Sequence, residues 1–235
     1  MNILAVGGSG IVGTIVIPFL QQEHTVRVYD LIAPKVEGCE FAQGSVTDHE
    51  TLREAMKGTD AVLYMAMGSQ KWTEWEGSET AMDVNVKGIH YALRAAAEAG
   101  ITQAVYCSTM SVYADLQRRY FIDEDVQPDE INIYGFTKWL GEEVCRNASR
   151  RWAMNVSALR LCLPLAPDDW QARMRRDTPD YATSGDDVAR AMVAALELQA
   201  GFQTFMIGGD YEGKFLNMAK AKRLLGWEPI ARPTK

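Results

Sequence analysis

A short apolar run followed by evenly spaced glycines opens the chain and constrains its fold more than any other feature. Residues 2–6 read Asn-Ile-Leu-Ala-Val, and glycines follow at Gly7, Gly10 and Gly13. The run is long enough for one buried strand, and apolar residues at helical spacing predict a helix over about 10–22. A strand, a glycine-rich turn and a helix N-terminus form a phosphate-binding geometry, because free N–H groups and the positive end of the helix dipole face the anion.

An acidic residue ends the second predicted strand, residues 25–30. Asp30 lies at about the distance from the glycines that is expected of a carboxylate binding the ribose of a dinucleotide. The alternative interpretation is that Asp30 only caps the next turn. Because strand, glycines, helix and acid occur in order, the sequence predicts a dinucleotide site. Asp30 favours NAD over its phosphorylated form, since a carboxylate repels a 2′-phosphate.

Apolar strands alternate with helical stretches along the whole chain of 235 residues, which predicts an α/β fold with a Rossmann-type doubly wound parallel sheet. We expect residues 1–163 to form the dinucleotide-binding core and 164–235 a reduced substrate-binding lobe, packed together as one compact unit. Helices are predicted over about 10–22, 49–56, 80–100, 133–151, 185–199 and 217–226, and irregular segments over 69–79, 114–133 and 164–184. Pro18 lies inside the first helix and predicts a kink or an early end.

Composition and charge exclude several classes of protein. The net charge of -7 argues against a nucleic-acid or anionic-membrane surface. No apolar run approaches the roughly 18 residues of a membrane span, and the N-terminus lacks a signal-peptide layout. The four cysteines are scattered without a CxxC pair, and the three histidines show no metal-ligand spacing. We therefore expect a cytoplasmic protein with reduced thiols and without a metal, nucleic-acid or membrane partner.

A tyrosine and a lysine four residues apart carry the candidate chemistry. Tyr134 and Lys138 share one face of the helix predicted after the fifth strand. A free tyrosine has a pKa of about 10, which a neighbouring ammonium or the positive ring of an oxidised nicotinamide lowers. Tyr134 could then take a proton from a substrate hydroxyl while hydride leaves the same carbon. Thr109 is the candidate to orient the substrate oxygen, with Ser108 and Ser111 beside it. The alternative is a helix-start aromatic with a solvated lysine.

Eight segments together resemble the extended short-chain dehydrogenase/reductases, also called the NAD-dependent epimerase/dehydratase family. They are residues 7–13, 44–48, 63–67, 85–88, 107–113, 134–138, 186–189 and 223–229. The resemblance implies catalysis by Thr109, Tyr134 and Lys138, and it places Asp48 at the adenine of the cofactor. The cofactor-binding residues that follow from the motifs are Gly7, Gly10, Ile11, Val12, Gly13, Asp30, Asp48, Ala66, Met67, Asn85, Ser108, Tyr134 and Lys138.

The chain departs from the family where a substrate would bind. Only about seventy residues follow Pro164, and this short tail resembles that of uronate dehydrogenases, which oxidise a free sugar acid. Three arginines could then pair with the carboxylate of such a substrate, namely Arg173, Arg175 and Arg176. The interpretation that we favour is that these arginines form a solvated basic patch. Tryptophans could line a sugar site or pack in the core or an interface; they are Trp72, Trp75 and Trp139.

Three functions are compatible with these patterns. The first is an NAD-dependent oxidoreductase that acts on a hydroxyl of a sugar or sugar derivative. The second is a nucleotide-sugar epimerase or dehydratase that uses the same residues and regenerates its NAD in each turnover. The third is a non-catalytic NAD-responsive binding protein, against which the complete set of candidate catalytic residues counts. The apolar helices over 80–99 and 133–151 suggest a homodimer, because family members often dimerise through this pair.

Overall fold

A computed structural model describes residues 1–175 and 181–234, and within them a parallel seven-stranded sheet forms the centre of the fold. The spatial order is β3-β2-β1-β4-β5-β6-β9, and β7 and β8 form a separate small pair. The bounds are β1 Asn2–Val6, β2 Thr25–Asp30, β3 Glu40–Gln43, β4 Ala61–Tyr64, β5 Gln103–Thr109, β6 Asn155–Leu161, β7 Pro164–Leu165, β8 Thr183–Ser184 and β9 Phe202–Ile207. The strand order reverses between β1 and β4, where ligands bind at the carboxyl ends of such sheets.

Helices cover both faces of the sheet. Their bounds are α1 Ile11–Leu20, α2 His49–Ala55, α3 Trp75–Met82, α4 Ile89–Glu98, α5 Ile133–Trp152, α6 Pro167–Met174, α7 Gly185–Glu197 and α8 Ala219–Leu225, with a π-helical segment at Asp83–Gly88 between α3 and α4. No helix in the described part of the chain is long and apolar enough to cross a membrane.

Side-chain alternation along the strands builds two apolar layers. In β1, Ile3 and Ala5 belong to the layer that contains α1 and α7, whereas Leu4 and Val6 belong to the layer that contains α2, α4 and α5. Side chains alternate between the faces of a strand, so a strand covered on both faces needs apolar residues at every position. The continuous apolar run at the start of the chain is therefore a central strand, and the predicted Rossmann-type doubly wound sheet is confirmed.

Several predicted elements differ from the structure. The helix predicted from residue 80 begins at Trp75, and a Cβ on Gly77 in its first turn would lie only 1.9 Å from the carbonyl oxygen of Lys71. The first helix ends at Leu20, two residues before its predicted end, with Pro18 inside it. The segment over 164–184, predicted as irregular, contains β7, α6 and β8.

The C-terminal part of the chain packs into the same sheet-and-helix unit as the N-terminal part. Strand β9 pairs with β6, and α7 packs against α1. The buried carboxylate of Asp187 on α7 accepts hydrogen bonds from the backbone N–H groups of Ile230 and Ala231, each at 3.1 Å. The indole of Trp227 donates to the carbonyl of Asp187 at 2.8 Å, so the last described residues are bound to α7.

Candidate active site

A cavity of about 770 Å³ lies at the carboxyl ends of the central strands, where the strand order reverses. The glycine-rich turn, the end of β2, the segment after β4, the end of β5 and the start of α5 all contribute to its wall. Most of the predicted site residues line it, namely Gly7, Gly10, Ile11, Val12, Asp30, Ala66, Met67, Ser108, Thr109, Tyr134 and Lys138.

The glycine-rich turn has the shape required to hold a pyrophosphate. Gly7 has a φ of +77°, and a Cβ there would lie 2.3 Å from the backbone nitrogen of Ala66. A Cβ on Gly13 would lie 2.1 Å from the carbonyl oxygen of Gly8, so this glycine lets α1 pack closely against the turn. The first turn of α1 has neither a side-chain cap nor an acidic residue. Its N–H groups therefore suit an anionic group, and the residues present fit a dinucleotide.

Asp30 connects the glycine-rich turn to the end of β2 through hydrogen bonds. Its Oδ2 accepts a hydrogen bond from the N–H of Ser9 at 3.0 Å, and its Oδ1 accepts one from the N–H of Leu31 at 2.7 Å. The hydroxyl of Ser9 in turn donates to the carbonyl of Ile32 at 2.7 Å. Asp30 thus binds the turn that follows it and also lines the cavity, so the two interpretations of this residue do not exclude each other.

Besides Gly13, which packs against the glycine-rich turn, two predicted cofactor residues are not among those that line the cavity. Asp48 caps α2, because its carboxylate accepts hydrogen bonds from the N–H groups of Glu50 and Thr51. Ser45 and Val46 of the same segment line the cavity instead.

The second of these residues is Asn85, which is buried in the π-helical segment. Its side-chain oxygen accepts a long hydrogen bond of 3.4 Å from the N–H of Gly68, and its amide donates to the hydroxyl of Thr137 at 3.0 Å. Asn85 therefore connects the segment after β4 to α5 and is not a wall residue.

The three candidate catalytic side chains come from the end of β5 and the start of α5. The side chain of Asn132 caps α5 by accepting the N–H of Tyr134 at 2.9 Å, which sets Tyr134 in the first turn and Lys138 one turn later. The side chain of Thr109 lies beside the phenol of Tyr134 and accepts the N–H of Ser111 at 3.1 Å. Lys138 is 3% exposed, and its ammonium donates to the carbonyl of Cys107 at 2.9 Å. The structure therefore unites the trio at one side of the cavity.

Burial dominates the electrostatics of the trio. Burial raises the pKa of Tyr134, and the neighbouring side chain of Thr109 acts in the opposite direction. Burial also lowers the pKa of Lys138 to about 8. The sequence argument expects Lys138 to lower the pKa of Tyr134, but in the protein alone desolvation of the phenolate outweighs every favourable interaction.

A buried ion pair that the sequence argument missed lies behind the trio. Glu142 follows Lys138 by one turn of α5 and binds Arg160 of β6 through two contacts, Nε to Oε1 at 2.9 Å and Nη2 to Oε2 at 2.7 Å. Ser108 donates to Oε1 at 2.6 Å, and Arg160 also donates to the hydroxyl of Tyr113. This network joins the ends of β5 and β6 to α5. An acid four residues after Lys138, on the same helix face, is the signal that could have revealed it.

The three tryptophans considered for a sugar site are not among the described residues that line the cavity. The indole of Trp72 instead stacks on the ring of Tyr134, with 4.6 Å between centroids and 16° between planes. Trp75 is 84% exposed at the start of α3. Trp139 contacts Phe136 edge to face.

The arginines considered as carboxylate partners belong to α6 and the residues after it. Arg173 and Arg175 are not among the cavity-lining residues, and Arg176 lies outside the described residues.

Comparison with known proteins finds curated relatives that match part or nearly all of this chain. An L-arabinose 1-dehydrogenase (NAD(P)(+)) of Haloferax volcanii is 24% identical over 97% of this chain and 96% of its own length. The N-acetyl-alpha-D-glucosaminyl-diphospho-ditrans,octacis-undecaprenol 4-epimerase of Escherichia coli is 28% identical over 62% of this chain and 43% of its own length. The chain spans about half the length of two curated relatives, 43% and 55%.

Solved structures show the same fold. A short-chain dehydrogenase/reductase superfamily protein of Agrobacterium tumefaciens, solved with bound NAD, has a TM-score of 0.81 and 23% identity, over 99% of this chain and 93% of that one. The model of the NAD dependent epimerase/dehydratase family matches residues 3–208. The chain therefore belongs to the NAD dependent epimerase/dehydratase family, whose members are NAD-dependent enzymes.

Proposed function

We propose that the chain is an NAD-dependent oxidoreductase that acts on a hydroxyl of a sugar or sugar derivative, with Tyr134 as the proton acceptor. The observation that carries the proposal is that Tyr134, Thr109 and Lys138 line the same cavity as the glycine-rich turn. Oxidation of a carbinol removes a proton and a hydride, so it requires a proton acceptor and a bound dinucleotide in the same cavity.

Each member of the trio has a distinct role in this proposal. Tyr134 takes the proton of the substrate hydroxyl, and the hydroxyl of Thr109, which lies beside the phenol, orients the substrate oxygen. Lys138 commits one of its three donors to the carbonyl of Cys107, which leaves the others to face the cavity that it lines. NAD, when bound, supplies the hydride acceptor and a positive charge that favours the phenolate.

Gly7, Gly10 and the first turn of α1 would hold the pyrophosphate of the cofactor, and Asp30 would hold the ribose next to the adenine. Ile11, Val12, Ala66, Met67 and Ser108 complete the proposed cofactor wall. Gly13, Asp48 and Asn85 would then support this wall through packing and hydrogen bonds.

The charges on the cavity wall favour an uncharged sugar over a sugar acid. Among the described residues, Lys138 is the one lysine or arginine that lines the cavity, and Glu130 contributes a carboxylate in addition to Asp30, which is assigned to the cofactor. A substrate carboxylate is bound most effectively by arginine, and no arginine of the described part of the chain lines this cavity. The near full-length match to an L-arabinose dehydrogenase supports net oxidation of a free sugar.

The test is to incubate the purified protein with NAD and a panel of neutral sugars, sugar acids and nucleotide-sugars. We expect nicotinamide absorbance to increase with a neutral sugar. Conversion of a nucleotide-sugar detected by chromatography, without net reduction of NAD, would replace the proposal by an epimerase or dehydratase. Binding of NAD without turnover of any panel member would favour an NAD-responsive binding protein.

We also propose that two copies of the chain associate through α4 and α5, the helices that the sequence suggests for a homodimer. Light scattering of the purified protein should give twice the mass of one chain, and a mass of one chain would contradict the proposal.

A further inference from the structure

The phenol ring of Tyr134 is covered on one face by an indole. The rings of Trp72 and Tyr134 are nearly parallel, with 16° between planes and 4.6 Å between centroids. This is the stacked arrangement that aromatic pairs prefer. Trp72 is partly buried, and it stacks on the proton acceptor without being one of the residues that line the cavity.

The segment that carries Trp72 is bound firmly to α3. The N–H of Ser69 donates to the hydroxyl of Thr80 at 3.1 Å, and the N–H of Glu74 donates to the carbonyl of Lys71 at 3.0 Å. Gly77 brings the backbone of α3 against Lys71, at a distance that no side chain at position 77 would allow. Trp72 is therefore presented by a short segment that is held at several points.

Stacking restrains the one motion that displaces the phenolic oxygen. Rotation about the Cβ–Cγ bond leaves this oxygen in place because the oxygen lies on the rotation axis. Rotation about the Cα–Cβ bond swings the whole ring and separates the hydroxyl from Thr109. An indole packed parallel to the ring blocks that swing on its side.

We propose, on the basis of the function proposed above, that Trp72 is a positioning residue that holds the Tyr134 ring against Thr109 in the orientation for proton transfer. Trp72 touches neither substrate nor cofactor in this proposal. Its removal should therefore affect the chemical step and leave binding of both unchanged.

The kinetic test compares Trp72→Ala and Trp72→Phe with Trp75→Ala, a matched control because Trp75 is 84% exposed and only three residues away. We expect Trp72→Ala to lower kcat by on the order of tenfold, since displacement of a catalytic group by about 1 Å can cost up to about a hundredfold. KM and the dissociation constant of NAD should stay the same. Trp72→Phe should recover most of the rate, and Trp75→Ala should match the wild type.

A double variant separates positioning from a direct effect on the substrate. In the Tyr134→Phe background there is no phenolic hydroxyl to position, so Trp72→Ala should cause no further loss of kcat. An additional loss equal to that of the single variant would overturn the positioning role. If Tyr134→Phe is inactive while Trp72→Ala equals the wild type, this inference fails and the proposed function stands. If Tyr134→Phe keeps full activity, the proposed function fails.

A spectroscopic measurement tests the contact without a substrate. In protein with ring-labelled tyrosine, the NMR signal that Tyr134→Phe removes belongs to Tyr134. Trp72→Ala should shift this signal, because the ring current of the stacked indole is lost, and Trp75→Ala should not. An unshifted signal in Trp72→Ala would overturn the proposal.

Discussion

Replacing Glu142 with glutamine should destabilise the protein by about 3–5 kcal/mol, because it leaves the guanidinium of Arg160 buried without an anion. The side chains of the pair are 1% and 4% exposed, so water cannot replace the lost carboxylate. The carboxylate accepts three hydrogen bonds, of 2.6, 2.7 and 2.9 Å, from Ser108 and Arg160. A neutral amide can accept some of them but cannot offset the charge. For a domain of this size the loss corresponds to a fall in Tm of roughly 6–20 °C.

Thermal and urea unfolding followed by circular dichroism measure this effect. The matched control is Glu143→Gln, the next residue of α5, whose pair with Arg146 is exposed to solvent at both side chains and should cost less than about 1 kcal/mol. Combining Glu142→Leu with Arg160→Met should recover much of the loss, since no unpaired charge remains buried. A Glu142→Gln protein as stable as Glu143→Gln would refute the reasoning.

Three further predictions concern the cofactor cradle and Lys138. Gly7→Ala should abolish NAD binding and should destabilise the protein much more than Gly58→Ala. Both glycines have a positive φ, but only a Cβ at position 7 clashes, 2.3 Å from the backbone nitrogen of Ala66. Equal losses of stability in the two variants would contradict this prediction. Asp30→Ala should reduce the preference for NAD over NADP, measured by titration, by about tenfold, or about 1.4 kcal/mol. Burial lowers the pKa of Lys138 from 10.5 to about 8, so the unfolded chain binds more protons between these values. The wild type should therefore gain stability relative to Lys138→Met as the pH rises through that range, and a constant difference would contradict the assignment.

The parts of the fold and site that the sequence could predict depend on local patterns. The apolar run of β1, the glycine spacing and the helical spacing of Tyr134 and Lys138 each lie within a few residues. The physics that sets them acts at the same range, through turn geometry and helix periodicity. These features and the family motifs were sufficient for the sheet type, and eleven of the predicted site residues line the cavity.

The parts that were missed depend on tertiary contacts. The partner of Glu142 is Arg160, on another element, and Trp72 meets Tyr134 across more than sixty residues of chain. Asp48 caps α2 because the helix begins directly after it, and no sequence motif distinguishes a helix cap from a cofactor-binding residue at that position. In the protein without cofactor, burial raises the pKa of Tyr134, and no sequence pattern reports this effect, since desolvation depends on everything packed around the ring.

The most direct test of the central claim is the turnover of Tyr134→Phe with NAD and the substrate found in the sugar panel. The control is Tyr120→Phe, because Tyr120 is 82% exposed. We expect Tyr134→Phe to bind NAD with wild-type affinity and to lose kcat by on the order of a hundredfold or more, the usual contribution of general acid–base catalysis. Turnover of Tyr134→Phe at the wild-type rate would contradict the assignment of Tyr134 as the proton acceptor.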